Sequence, residues 1–162
     1  MNGEYIRKLP PEELYRRALP FLEKADMPVE SSGGEKILKI LAIEQPRLKK
    51  LSEVGEKTSF YFKLPDFEPS LLLWKDMTGD EVKSSLDTSI ELLHRLEALP
   101  EVADIEKVLM PAAAAMGDKG RLLWPLRAAL TGLKASPGPF EVISILGRDE
   151  AVSRLKRART LV

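Results

Sequence analysis

Pro125-Leu126-Arg127-Ala128-Ala129-Leu130-Thr131-Gly132, followed by Leu133 to Phe140, sets one cation inside an otherwise apolar run. The first eight residues read as part of a short buried helix, with Gly132 suited to a left-handed C-cap. Ser136-Pro137-Gly138-Pro139 then form a loop stiffened by two prolines. Pro139 opens a further helix carrying Phe140, Ile143 and Leu146. Arg127 must either extend its charged head to solvent or meet an anion or polar ligand. Binding residues gather on loops because a rigid scaffold holds them out to solvent. An arginine and an aromatic beside a stiff loop suit a splayed nucleotide base.

The surrounding chain repeats the helical pattern. Residues 1–9 read as an extended lead-in. Pro10-Pro11 with Glu12 and Glu13 then start a helix whose face is Leu14, Ala18, Phe21 and Leu22, with Pro20 as a kink or stop. Ser32 and Glu35 match a capping box ahead of Ile37, Leu38 and Leu41. Pro46 interrupts that helix, and Arg47, Lys49 and Lys50 crowd the resumption after it. Thr78 and Glu81 match a second capping box, opening the longest helix, whose apolar spacing runs to Leu99 before Pro100. A further helix spans Ile105 to Met116, kinked at Pro111, and the last spans Asp149 to Arg159. No paired period-2 runs suggest a hairpin. The expected fold is therefore all-α. Leu64-Pro65-Asp66-Phe67-Glu68-Pro69 reads as a linker, dividing the chain into two packed helical subdomains, residues 1–66 and 67–162.

Composition narrows the chemistry. The chain has 162 residues, 44% hydrophobic and 31% charged, with Lys+Arg and Asp+Glu both 25. No global basic field would draw it onto nucleic acid, so any such contact must be local. There is no cysteine and a single histidine, His94. Thiolate zinc sites and cysteine chemistry are excluded, and no metal site or Ser/His/Asp set is expected. Carboxylates are scattered beside cations, as helix-surface ion pairs are. No apolar run approaches a membrane span, and no secretory signal is visible; both fit a cytoplasmic protein. No glycine-rich phosphate loop occurs. This chain alone is expected to catalyse nothing.

The order of these signals resembles the bacterial glutamyl-tRNA synthetase family. Met1-Asn2-Gly3-Glu4-Tyr5-Ile6-Arg7 is similar to the Met-Asn-Gly-x-Tyr-Ile-Arg segment that leads from the family's catalytic half into its anticodon-binding half. Leu19-Pro20-Phe21-Leu22 recurs in the helix that follows. Pro125 to Gly132, then Pro137-Gly138-Pro139-Phe140-Glu141-Val142, then Leu146-Gly147-Arg148, resemble the family's Pro-Leu-Arg-x-Ala-Leu-Thr-Gly, Pro-Gly-Leu-Phe-Glu-Ile and Leu-Gly-Lys blocks. The resemblance implies an α-helical cage of two subdomains that recognises the anticodon loop of glutamate tRNA. The motifs of ATP-dependent activation lie upstream in the family. ATP and magnesium are thus expected only with that catalytic half, and no cofactor with this chain. The chain is expected to be either an excised C-terminal half beginning at an internal methionine or a free-standing homologue of it. Its implied partners are glutamate tRNA and the catalytic half, with no DNA and no membrane.

By the same resemblance, Arg47 aligns with the arginine that reads the third anticodon base, C in glutamate tRNA and G in glutamine tRNA. Arg127 aligns with an anticodon-contacting arginine. Ser136, Pro137, Pro139 and Phe140 align with the loop that cups the unstacked bases. Ser136 stands where threonine is common and keeps the hydroxyl. Pro139 stands where leucine is usual, which removes a backbone donor and reshapes an apolar wall. Arginine only donates, so it suits the O2 and N3 acceptors of cytosine better than the N1–H and N2–H2 edge of guanine. The wrong base would cost about 1–3 kcal/mol. Lys49, Lys50, Arg154 and Arg157 are candidate phosphate contacts, which position without specifying. The competing reading is a helical protein-interaction or scaffold domain, with Arg127 buried against an internal carboxylate and Phe140 in the core.

Overall fold

The computed structural model describes residues 2–162. Among these the chain forms ten α-helices and four short 3-10 turns, with no strand. The fold is all-α. The chain separates into two compact units, Met1–Lys63 and Leu64–Val162. Asp66, in the segment expected to link them, pairs with Arg157 at 3.0 Å, and both residues lie in the second unit.

The first unit opens with α1 (Gly3–Arg7), where an extended lead-in was expected. The Asn2 side chain caps it, its Oδ1 accepting from the Tyr5 amide at 3.0 Å, and Ile6 is fully buried. Five residues are too few to show a period, so this helix was invisible to pattern reading. Helix α2 (Pro11–Lys24) runs through Pro20 and buries Leu14, Ala18 and Leu22. Ser32 does not cap the next long helix. It is the last residue of α3 (Val29–Ser32), and Gly33, at φ 80°, turns the chain into α4 (Gly34–Glu44). After α4 the chain does not resume as a helix. Gln45–Arg47 form one 3-10 turn, Leu48 is extended and fully buried, and Leu51–Glu53 form another turn. A short helix, α5 (Val54–Thr58), then leads into Phe60 and Tyr61, both buried.

In the second unit α6 (Gly79–Leu93) begins at Thr78 with the expected reciprocal capping box. It stops six residues before Leu99. Past Leu93 the backbone tightens to three-residue bonds, the Arg95 amide donating to the Leu92 carbonyl and the Leu96 amide to the Leu93 carbonyl. Arg148 takes the carbonyls beyond, its amide donating to Ala98 and its Nη1 to Leu96, each at 2.9 Å. Those carbonyls thereby have partners outside a helix, and Leu99 is left 80% exposed. Helix α7 (Val102–Ala115) follows, then α8 (Gly120–Thr131). Helix α8 contacts α6, α7, α9 (Pro139–Leu146) and α10 (Arg148–Arg159). It buries Leu122, Leu126, Ala128, Ala129 and Leu130 completely, as its apolar run demands. Pro125 lies well inside α8 and cannot donate to the carbonyl of Arg121 four residues earlier. The Ser85 hydroxyl of α6 donates to that carbonyl instead, at 2.9 Å. The proline's missing hydrogen bond thus becomes an interhelical one.

Candidate nucleic-acid interface

Arg127 leaves α8 at partial exposure, neither sealed in the core nor wholly free in solvent. Its Nη1 donates to the Ser136 hydroxyl at 2.8 Å and its Nη2 to the Lys134 carbonyl at 3.0 Å. The Trp124 ring lies beneath it, with 4.7 Å from guanidinium carbon to ring centroid. Trp124 precedes Arg127 by three residues, the spacing that puts two side chains on one helix face. Its indole nitrogen donates to the Leu71 carbonyl at 2.8 Å, and its ring packs on Trp74 at 5.3 Å. The Trp74 indole in turn donates to Asp118, which also receives Lys75 at 2.8 Å and the Gly120 amide at 3.0 Å. These donors, the Lys75 ammonium first, then Trp74 and Gly120, hold the Asp118 carboxyl at about 2, below its ordinary 3.8.

The loop after α8 is built to receive that guanidinium. Gly132 adopts φ 64° and ψ 16°, the left-handed cap that releases the chain from the helix. The Thr131 hydroxyl donates to the Arg127 carbonyl at 2.9 Å and accepts from the Leu133 amide at 3.2 Å. The Ser136 hydroxyl, besides receiving Arg127, donates to the Pro137 carbonyl at 3.0 Å. Pro137 is buried, whereas Ser136, Pro139 and Phe140 are partly exposed. The accessible apolar surface therefore comes from Pro139 and Phe140, at the first turn of α9. Pro137 acts from inside the loop instead of lining its outer wall.

Arg47 belongs to the first unit. It ends the Gln45–Arg47 turn with its side chain 37% exposed, and its Nε lies 3.6 Å from Oε2 of Glu44. Glu44 is 1% exposed and stands seven residues after Ile37, on the inward stripe of α4. Lys49 and Lys50 are exposed on the extended stretch beyond, and the Lys49 amide donates to Glu53 at 3.2 Å. Arg157 is also accessible, at 55%, beside Asp66. Arg154 is not. Its side chain is 4% exposed, its Nη1 donates to the Leu130 carbonyl at 2.7 Å, and its Nε pairs with Glu150 at 3.0 Å. A phosphate cannot reach a guanidinium so enclosed, and Arg154 leaves the phosphate-contact set.

The structure thus gathers Arg127, Ser136 and Pro137 into one hydrogen-bonded loop with Pro139 and Phe140 at its exit, and places Arg47 in the other unit. Sequence reading missed Trp124 and the Lys134 carbonyl. The i, i+3 spacing to Arg127 was a usable signal for the first, whereas a backbone acceptor carries none. A surface cleft of about 390 Å³ lined by Leu96, Leu99, Pro100 and Val108 includes none of these residues. Among the described residues no cluster of three or more acidic, His or Cys side chains could hold a metal ion, and no helix is long and apolar enough to cross a membrane.

A family model described as an anticodon binding domain matches residues 13–159. The glutamate–tRNA ligase of Clostridium kluyveri is 34% identical over 160 residues, covering 96% of this chain and 32% of that protein. The glutamate–tRNA ligase of Dehalococcoides mccartyi is 36% identical over 165 residues, covering 98% of this chain and 33% of that protein. A crystal structure of a glutamate tRNA ligase from Elizabethkingia meningosepticum, in complex with its amino acid, superposes with a TM-score of 0.82. That match covers 98% of this chain and 31% of that one at 21% identity, a likeness of fold. The chain spans about a third of the length of the curated relatives it matches.

Proposed function

This chain belongs to the anticodon binding domain family, and from that premise we propose that it reads the anticodon loop of glutamate tRNA as the recognition part of a glutamate–tRNA ligase. Amino-acid activation, with its ATP and magnesium, belongs to a catalytic part of the ligase outside these residues. The chain itself supplies no reacting group, and its place of work is the cytoplasm. The observation that carries this reading is the Arg127-braced loop. A rigid loop presents partly exposed Pro139 and Phe140 beside a guanidinium, and unstacked bases dock on such apolar and planar surfaces. Arg47 supplies third-base discrimination, and Lys49, Lys50 and Arg157 steady the phosphates. With equal numbers of cationic and acidic residues, the chain's affinity rests on these local contacts.

The test is a titration of the chain with glutamate tRNA and with the same tRNA carrying G at the third anticodon base, at low and moderate salt. Tighter binding of the C-bearing tRNA, with the difference erased in Arg47→Ala, is the expected result. Equal binding of both tRNAs and an unrelated tRNA would refute base reading.

A further inference from the structure

The turn that carries Arg47 has little to hold it in its own backbone. It is a three-residue 3-10 turn, and such turns have poor hydrogen-bond geometry and persist only in short pieces. Its orientation is fixed from outside. The Gln45 side-chain amide donates to the Ile6 carbonyl at 2.8 Å and to the Leu9 carbonyl at 2.9 Å. Both acceptors lie at or just beyond the C-terminal end of α1, and the Ile6 carbonyl, which also accepts from the Leu9 amide at 3.1 Å, offers Gln45 its second lone pair. Only the NH2 end of an amide can satisfy two carbonyls, so the geometry also fixes which way Gln45 faces.

A second seat lies on the other flank of Arg47. Gly3 sits so close to the chain there that a Cβ on it would come to 2.8 Å from the Leu48 carbonyl oxygen and 3.2 Å from the Lys49 Cα. Leu48 itself is fully buried. Residues 2–9 and the 45–49 stretch are thus joined immediately before Arg47 by two hydrogen bonds and immediately after it by direct packing. Glu44, 3.6 Å away, completes the frame around the guanidinium.

We infer that Gln45 is a positioning residue for base reading by Arg47, holding the Arg47 turn on residues 2–9 without touching RNA itself. This rests on the proposed function and deepens it. Aim matters here because an arginine discriminates bases by the direction of its donors, whereas attraction to phosphate needs only its charge. Loss of the clamp therefore degrades the preference between bases more than the affinity common to all of them.

The experiment compares the full chain with Gln45→Glu, Gln45→Ala, Arg47→Ala and Ala18→Gly. Gln45→Glu keeps the shape and turns two donors into acceptors facing carbonyls. Ala18→Gly loosens buried α2 without touching the turn. Two readouts are taken. The first is the preference for C over G, taken as the dissociation constant of glutamate tRNA bearing G at the third anticodon base divided by that of the tRNA bearing C. The second is hydrogen exchange at the Leu48 amide, which bonds the Gln45 carbonyl at 3.3 Å. Both Gln45 variants are expected to lower the C-over-G ratio by about fivefold, the scale of a typical coupling between neighbouring residues, and to speed Leu48 exchange. Ala18→Gly should leave the ratio intact. An unchanged ratio in both Gln45 variants, where Arg47→Ala abolishes it, overturns this inference alone. So does an equal loss in Ala18→Gly, which would show general loosening. A ratio insensitive to Arg47→Ala overturns the proposed role of Arg47, and the inference resting on it.

Discussion

Replacing Arg127 with lysine separates two ways in which an arginine can serve RNA binding. As a phosphate contact it acts as a point charge, and lysine would do as well. As a brace it acts through the fork of its guanidinium, and lysine would not. The structure shows the fork in use, with Nη1 on the Ser136 hydroxyl, Nη2 on the Lys134 carbonyl, and the plane over Trp124. Each hydrogen bond contributes about 1 kcal/mol net, and the ring contact about 0.5–1 kcal/mol at a partly exposed site. Lysine keeps the charge and at best one of the bonds, so about 1–2 kcal/mol of loop order is lost. If the ordered loop is what binds, affinity for glutamate tRNA falls about five- to thirtyfold.

Fluorescence anisotropy of labelled tRNA across a salt series reads both quantities that matter. Arg127→Lys should shift the whole line of log K against log salt downward without changing its slope, since the charge is unchanged. Exchange at the Leu133 amide, held by Thr131 at the start of the loop, should quicken in parallel. Parent-like affinity in Arg127→Lys at every salt concentration, with Arg127→Ala both weaker and shallower in slope by about 0.7, would refute the brace. Arg127 would then be a phosphate contact whose bonds to the loop are incidental to binding.

Other substitutions test neighbouring parts of the argument. Gly132→Ala puts a side chain at φ 64° and brings its Cβ to 2.9 Å from Pro65 Cγ and 3.0 Å from the Pro65 carbonyl oxygen. The left-handed backbone alone costs about 1–2 kcal/mol, so the urea midpoint should fall at unchanged m. Arg154→Ala strips the Leu130 carbonyl of a buried charged donor. It should destabilise the fold by about 2–3 kcal/mol while leaving the salt slope of tRNA binding at the parent value. Asp118, held at about 2 against an ordinary 3.8, favours the folded state above pH 3.8 and loses that contribution as the pH falls toward 2. Asp118→Asn should flatten that part of an acid-unfolding curve followed by tryptophan fluorescence. Finally, raising salt should weaken binding of C- and G-bearing tRNAs by the same factor, because phosphate contacts carry the salt dependence and base contacts the preference.

What could be read directly from the sequence was chemistry confined to a few neighbouring residues. Gly132 as a left-handed cap, Pro139 at a helix start and the Thr78–Glu81 box each depend on local backbone geometry, and each stands in the structure. Readings failed where a distant group decided the outcome. The apolar spacing toward Leu99 was real, yet α6 ends at Leu93 and Arg148, far along the chain, takes the Leu96 and Ala98 carbonyls that follow it. Ser32 had the right partner at the right spacing, but the turn needed a positive φ, which Gly33 supplies more readily. The role of Gln45 was invisible because a side-chain amide bonding carbonyls 36 and 39 residues away leaves no periodic trace.

Arg47, Arg127 and Arg154 show how residues picked out from sequence as one set of RNA contacts part company in the structure. All three lie on or beside helices and carry the same charge, but the backbone sets a different partner before each. Arg154 meets a helix-end carbonyl inside the second unit and becomes structural. Arg127 meets a serine and a carbonyl of its own loop and becomes a brace. Arg47 lies beside a buried carboxylate on a turn clamped at both flanks, with over a third of its side chain accessible. Of the three, this is the arrangement best suited to aiming donors at a base. A chain with no net charge has no general field with which to hold RNA. Its selectivity must then come from surfaces already in place before the anticodon arrives, because every loop that has to be ordered on binding subtracts from the contact energy. The brace at Arg127 and the clamp at Gln45 are two such prior orderings, one in each unit.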